Sequence, residues 1–160
     1  MTHSEQMVAG EATTAPAPLK NTVEAWEALF RTQVAVMRHL ISMPEFNRLS
    51  VREYDVLFNL RNCPEGKARL VDLNKFLLIS QPSLSRMIVR LEERGLISRS
   101  PDPTDQRAMI LSLTEKGLEV QRDIGREHVK HLHELMGHAL SEEEFDQLKH
   151  LSMKLRAGID

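Results

Sequence analysis

Ser83, Arg86 and Arg90 recur at helical spacing, on the side of the chain opposite Leu84, Met87, Ile88 and Leu91. If the stretch is helical, one face enters a core and the other offers two guanidinium groups and a hydroxyl to a partner. An arginine can pair bidentately with a guanine edge, and a glutamine such as Gln81 with adenine. Serine hydroxyls, here Ser80, Ser83 and Ser85, suit phosphate oxygens. Pro82 and Val89 share this polar side, where an apolar residue has no core to enter and can instead meet a thymine methyl or the nucleic-acid backbone. The bland alternative is a solvated helix face.

The flanking elements favour the sharper reading. Ser80 is placed to cap the helix and Pro82 sits in its first turn, where a missing N–H costs little. Gly95 ends it, as a residue free to take positive φ. Leu96–Ser100 and Ala108–Leu113 then alternate like strands around the charged loop Pro101–Arg107. Upstream, Leu70, Leu73 and Leu77 mark a short helix over 70–77, separated by the turn Leu78–Ser80. Two helices with a short turn, followed at once by a basic-tipped hairpin, is the layout of a winged helix-turn-helix. Lys75 and Arg99 then suit phosphate positioning, and Arg107 suits a narrow minor groove with enhanced negative potential. Arg94, beside Glu92 and Glu93, reads as an exposed charge near a helix end.

Bulk charge first argues the other way, because the 160 residues carry a net charge of −2. Its distribution reverses that. Residues 67–107 hold eight basic against five acidic side chains, whereas 1–66 hold six against eight and 114–160 hold seven against ten. Only the middle third is net basic, and local potential decides where phosphate docks. Seven aromatic residues are too few for a platform that stacks single-stranded bases. No apolar run approaches the roughly 18 residues of a membrane helix. The N-terminus lacks a signal layout, and the lone Cys63 suits a reducing compartment, so a cytoplasmic protein without membrane association is expected.

Residues 1–20, rich in Ala, Thr, Glu and Pro, read as a disordered arm. Asn21 with Glu24 resembles a capping box before an apolar stripe from Trp26 to about Met43, which Pro44 ends. Ser50 with Glu53 and Ser141 with Glu144 are further capping boxes, and Thr114 caps a long helix free of proline through Ala139. The expected fold is therefore mainly α with a small two- or three-stranded β-wing. The winged module spans 50–113, and terminal helical regions at 21–49 and 114–160 are apolar enough to pair two chains. A two-fold protein matches a two-fold operator on double-stranded DNA.

SQPSLSRMIVRLEERGLISR (80–99), DPTDQRA (102–108) and LSLTEKG (111–117) together resemble the MarR family of bacterial transcriptional regulators, over nearly the whole chain from about Asn21. The resemblance implies a homodimer, most often a repressor, released by a small phenolic or other aromatic effector. It implies a recognition helix in the major groove and a wing in the adjacent minor groove, with Asp105 orienting Arg107. The intervening position, often basic in the family, is Gln106 here. An effector pocket is expected where the first, second and long helices meet the winged module, lined by His39, Met43, Phe46, Tyr54 and Phe58. No cofactor is implied, and no nucleophile–base spacing, phosphate loop or carboxylate pair suggests an enzyme.

Two other effector chemistries stay open. His128 and His131 share a helix face near Glu127 and Glu134, with His133 and His138 close in sequence and His39 able to complete a metal site. Cys63 could sense oxidants, although it has no resolving cysteine within the chain. A winged-helix protein-interaction module with an incidental basic face is the reading from a different class.

Overall fold

A computed structural model describes residues 16–159, so the arm expected at the N-terminus lies outside the described residues as far as residue 15. Two compact units are present, divided between Arg38 and His39. The first contains most of helix α1 (Leu19–Ile41). That helix begins two residues before the expected cap: the Pro18 carbonyl accepts from the Thr22 N–H at 3.2 Å, and Asn21 lies inside the helix rather than ahead of it. Trp26 and Phe30, one turn apart, stack at 5.8 Å, yet remain 62% and 49% exposed.

In the second unit a 3₁₀ turn (Pro44–Asn47) leads to α2 (Val51–Asn62), β1 (Lys67–Arg69), α3 (Leu70–Asn74) and α4 (Gln81–Glu93). The hairpin β2 (Ile97–Asp102) and β3 (Asp105–Leu113) follows, then α5 (Glu115–Met136) and α6 (Glu142–Ala157). Three of the caps read from sequence form as expected. Ser50 and Glu53 make both bonds of a capping box, as do Ser141 and Glu144, and Thr114 accepts from the Gly117 N–H. Ser80 stands at the N-cap of α4, but its hydroxyl donates to Ser83 Oγ at 2.9 Å and caps no backbone N–H.

The hairpin gains a third strand. β1 pairs antiparallel with β3, giving the order β1-β3-β2 with Ala68 opposite Leu111. Helix α3 is shorter than the 70–77 expected from leucine spacing. It ends at Asn74, whose side-chain amide donates to the Ile79 carbonyl at 2.8 Å and turns the chain. Leu77 is still buried, reached through the turn rather than along a helix. The core of this unit takes in Leu84, Ile88 and Leu91 of α4, Leu73 of α3 and Leu57 and Leu60 of α2, each at most 1% exposed. Burying a leucine fully is worth roughly 1.5–3 kcal/mol, so the apolar side of α4 is fixed and the polar side is presented as a consequence. No helix of the described residues is long and apolar enough to cross a membrane.

Candidate nucleic-acid interface

The polar face of α4 is laid out as its spacing requires. Gln81, Pro82, Ser85, Arg86, Val89 and Arg90 are exposed, Ser80 is exposed just ahead of them, and Ser83 is half-buried. Val89, at 38% exposure, stays out of the core. Arg86 donates from Nη2 to Ser83 Oγ at 3.2 Å, so a hydroxyl rather than a carboxylate steadies it and its charge stays uncompensated.

Ion pairing separates the cations into two groups. Arg86, Arg90 and Arg107 form no ion pair among the described residues, and Arg107 is exposed near the start of β3. Lys75 is bound to Asp72 at 2.7 Å, and Arg99 to Glu92 on α4, whose carboxyl is held below its usual range by the Arg99 hydrogen bond. Contact of Lys75 or Arg99 with phosphate would compete with these partners. Exposed pairs of this kind are worth at most about 1 kcal/mol each, so such exchange is cheap.

The hairpin tip is held from its base. Asp102, 4% exposed, accepts from the Thr104 N–H and hydroxyl, both at 2.7 Å, and from Arg69 Nε at 2.6 Å. Arg69 also donates to Thr104 Oγ1 at 3.2 Å, and the hairpin register shifts between Pro101 and Asp102. The Thr104 bonds, followed by Arg69, lower the Asp102 pKa from 3.8 to about 2. Sequence reading assigned Arg69 and Asp102 no role, because the pair joins positions far apart in the chain. The nearer Asp105 accepts from the backbone N–H of Arg107 at 3.0 Å, so it shapes the main chain there rather than gripping the guanidinium. Gln106 lies between them in β3.

Arg69→Ala should therefore leave the α4 core intact and loosen the wing, speeding amide exchange at its tip about tenfold or more while α2 amides are unchanged. In the parent chain, the Asp102 contribution is present above pH 3.8 and is lost as pH falls toward about 2.

Arg94 is not the free charge its neighbours suggested. Its Nη2 donates to the Arg48 carbonyl at 2.6 Å, and Nη1 lies 3.7 Å from Glu53 Oε1, tying the end of α4 to the start of α2. Phe46, Tyr54 and Phe58, three of the five expected pocket residues, come together. Tyr54 lies 5.8 Å from Phe46 and 6.2 Å from Phe58, and Phe46 and Tyr54 also pack edge-on against His128. His39, within α1, is exposed, and Met43, in the link after that helix, is half-buried. A cavity of about 540 Å³ lies elsewhere, between the end of α2, β1 and α3, and is bordered by Cys63, Ala68, Phe76 and Ile110. Burial, and then Asp72, raises the Cys63 thiol, which disfavours a reactive thiolate. Among the described residues no group of three or more His, Cys, Asp or Glu side chains is arranged to hold a metal ion. His133 and His138 are exposed, and the carboxylate that His128 and His131 face is Glu45 rather than Glu127 or Glu134.

A helix α3, a turn, a helix α4 with an uncompensated cationic face and a braced hairpin occupy residues 70–113. The sequence profile of the MarR family matches residues 49–109, spanning these elements and α2. Residues 49–109 thus match the MarR family.

Solved structures share the fold beyond this segment. Sco3205 from Streptomyces coelicolor, in complex with DNA, is 23% identical with a TM-score of 0.74, over 91% of this chain and 92% of that one. A mutant MarR from E. coli, complexed with operator DNA, is 23% identical with a TM-score of 0.71, over 87% and 99%. BpsR from Bordetella bronchiseptica, whose DNA binding is regulated by 6-hydroxynicotinic acid, is 24% identical with a TM-score of 0.69, over 82% and 98%. The winged-helix architecture of MarR regulators is thus the architecture of this chain.

Proposed function

We propose that the chain is a sequence-specific, double-stranded-DNA-binding transcriptional regulator that acts as a homodimer on a pseudo-palindromic operator. The observation that carries this reading is the set of three arginines without carboxylate partners, Arg86 and Arg90 on the exposed side of α4 and Arg107 on the wing. A helix of this polarity in the major groove reads base edges through Gln81, Ser85 and Arg86, while Ser80, Ser83 and Arg90 hold phosphates. Lys75 and Arg99 join them by exchanging their carboxylate partners for phosphate, and Val89 and Pro82 supply apolar contact. At the wing, Arg107 enters the minor groove, and Asp105 and Gln106 set the course of the chain beside it.

Support for DNA as the partner comes from the two relatives crystallised with it. Support for the dimer comes from large apolar side chains left in water in each unit. Trp26, Leu29 and Phe30 on α1 are each at least 45% exposed, and Leu151, Met153 and Leu155 on α6 each at least 54%. Exposed apolar faces of this extent mark interaction surfaces. The regulation of BpsR DNA binding by 6-hydroxynicotinic acid supports control by a small aromatic effector, and repression is the sign of action that the family resemblance implies. An effector seated among Phe46, Tyr54 and Phe58 would favour a dimer geometry whose recognition helices miss the half-site spacing.

Selection of bound duplexes from a random pool tests the reading. Enrichment of a two-fold sequence with half-sites about one helical turn apart is expected. If no sequence is enriched over the starting pool, the module is an interaction domain whose basic face is incidental.

A further inference from the structure

The short 3₁₀ turn that follows α1 drives a carboxylate into the protein. Glu45 is 8% exposed overall and 3% in its side chain, beside Phe46, which is equally buried. Its Oε2 lies 2.9 Å from His131 Nδ1 and its Oε1 lies 4.0 Å from His128 Nδ1, both on α5. None of these four buried atoms makes a well-directed hydrogen bond within the chain. A carboxylate at this depth without a cation or donor is costly, so the imidazoles that face it must supply protons.

The two imidazoles differ in how readily they do so. His128 stands edge-on to Phe46 at 5.4 Å and to Tyr54 at 5.7 Å, an apolar cage that penalises the cation. Its pKa is lowered, first by burial, against the pull of Glu45. His131 is more open and has Glu127 and Glu134 as acidic neighbours on its own helix. Its pKa is raised, first by Glu45. The remaining charged groups beside Glu45 are Arg48 from the end of the turn and Asp123, Arg126 and Glu127 from α5, opposite signs in equal number. From α2 the facing titratable group is Tyr54, whose phenol burial keeps protonated.

We propose that Glu45, His128 and His131 form a proton latch that locks the 3₁₀ turn and the start of α2 onto α5 while the two imidazoles share one excess proton. With His131 cationic and His128 neutral, the carboxylate has one counter-ion and the aromatic cage stays uncharged. A second proton, arriving on His128, places a cation between Phe46 and Tyr54 and drives the ring toward water, parting the turn from α5. Loss of the first proton leaves Glu45 buried and unpaired.

The direction of the pH effect follows. The raised pKa of His131 gives stability that is complete below its unfolded value of 6.5 and is lost as pH rises through the folded value. The lowered pKa of His128 subtracts stability as pH falls below 6.5. The latch is firmest from 6.5 up to the raised value and weakens on either side. Its opening reaches the module through two links: Tyr54 lies on α2, whose Arg61 donates to Gln121 of α5 at 2.7 Å, and α5 follows directly on wing strand β3. That last step, acidification weakening duplex binding, rests on the DNA reading above. The latch itself does not.

The test uses the full chain. Proton NMR of the histidine ring signals should show His131 titrating above and His128 below an ordinary imidazole, with His131 returning toward the ordinary value in Glu45→Gln. Two histidines titrating together near 6.5 would overturn the latch. Should Glu45→Gln not fold, His128→Phe keeps the aromatic packing and removes the second proton's site. Its thermal stability should fall less on acidification from about pH 7 to about pH 5.5 than that of the parent, and parallel curves would overturn the proposal. Over the same interval the parent's affinity for a selected duplex should drop about tenfold, and that of His128→Phe clearly less. If no duplex is selected at any pH, the DNA reading fails while the ring titrations and melting curves still judge the latch.

Discussion

Replacing Gly117 with alanine is expected to destabilise the protein more than any change on the candidate interface. Gly117 occupies the first turn of α5, where its N–H donates to the Thr114 cap at 3.0 Å. That turn is docked on main chain: Thr114 N–H donates to the Leu96 carbonyl, the Thr114 hydroxyl to Gly95, and Lys116 Nζ to Arg94. A methyl at position 117 would be driven into the Leu96 carbonyl oxygen and would sit 3.0 Å from its carbon. Leu96 cannot retreat, because it and Ile97 are each 2% exposed. Gly95 also holds its turn at φ 70°, which disfavours rearrangement there. Overpacking against fixed backbone costs about 1–3 kcal/mol or more, which in a chain of this size lowers Tm by roughly 2–4 °C per kcal/mol. Gly158→Ala is the control. Its added methyl meets only ordinary contacts, so a change within about 0.5 kcal/mol is expected.

The largest effect on binding is expected from Arg107→Ala. Arg107 is exposed, has no ion pair among the described residues, and sits on a hairpin braced by Arg69, Asp102 and Thr104, so little is lost in presenting it. Its removal should weaken binding to a selected duplex by about 1–3 kcal/mol, the range of a good groove contact, with the melting temperature unchanged. Arg99→Ala should do less, because Arg99 must first leave Glu92. Equal losses for the two would mean that the wing acts only as general positive charge.

These two residues also mark what could be read before the fold. Arg107 was legible because it is local: a turn between two alternating stretches, with a charge near its tip. The same holds for Gly95, the caps at Ser50, Thr114 and Ser141, and the apolar side of α4, each decided within a few residues of chain. Arg69 and Asp102 were not legible, since a pair 33 residues apart leaves no periodic trace. β1, only three residues long, is too short to show alternation and exists because β3 offers it an edge. Glu45 was hidden by its setting. An acidic residue after Pro44 reads as a solvated turn until α5 is seen to cover it with two histidines. The leucine spacing over 70–77 misled for a related reason, because Leu77 reaches the core from a turn.

Affinity for a selected duplex and for a scrambled duplex of equal length, followed against salt, bears most directly on the proposed function. Specific reading by α4 with phosphate anchoring predicts at least about a thousandfold preference for the selected sequence near physiological salt. It also predicts a log–log salt slope that becomes shallower by about one in Arg90→Ala. Equal affinity for both duplexes, vanishing together as salt rises, would contradict it.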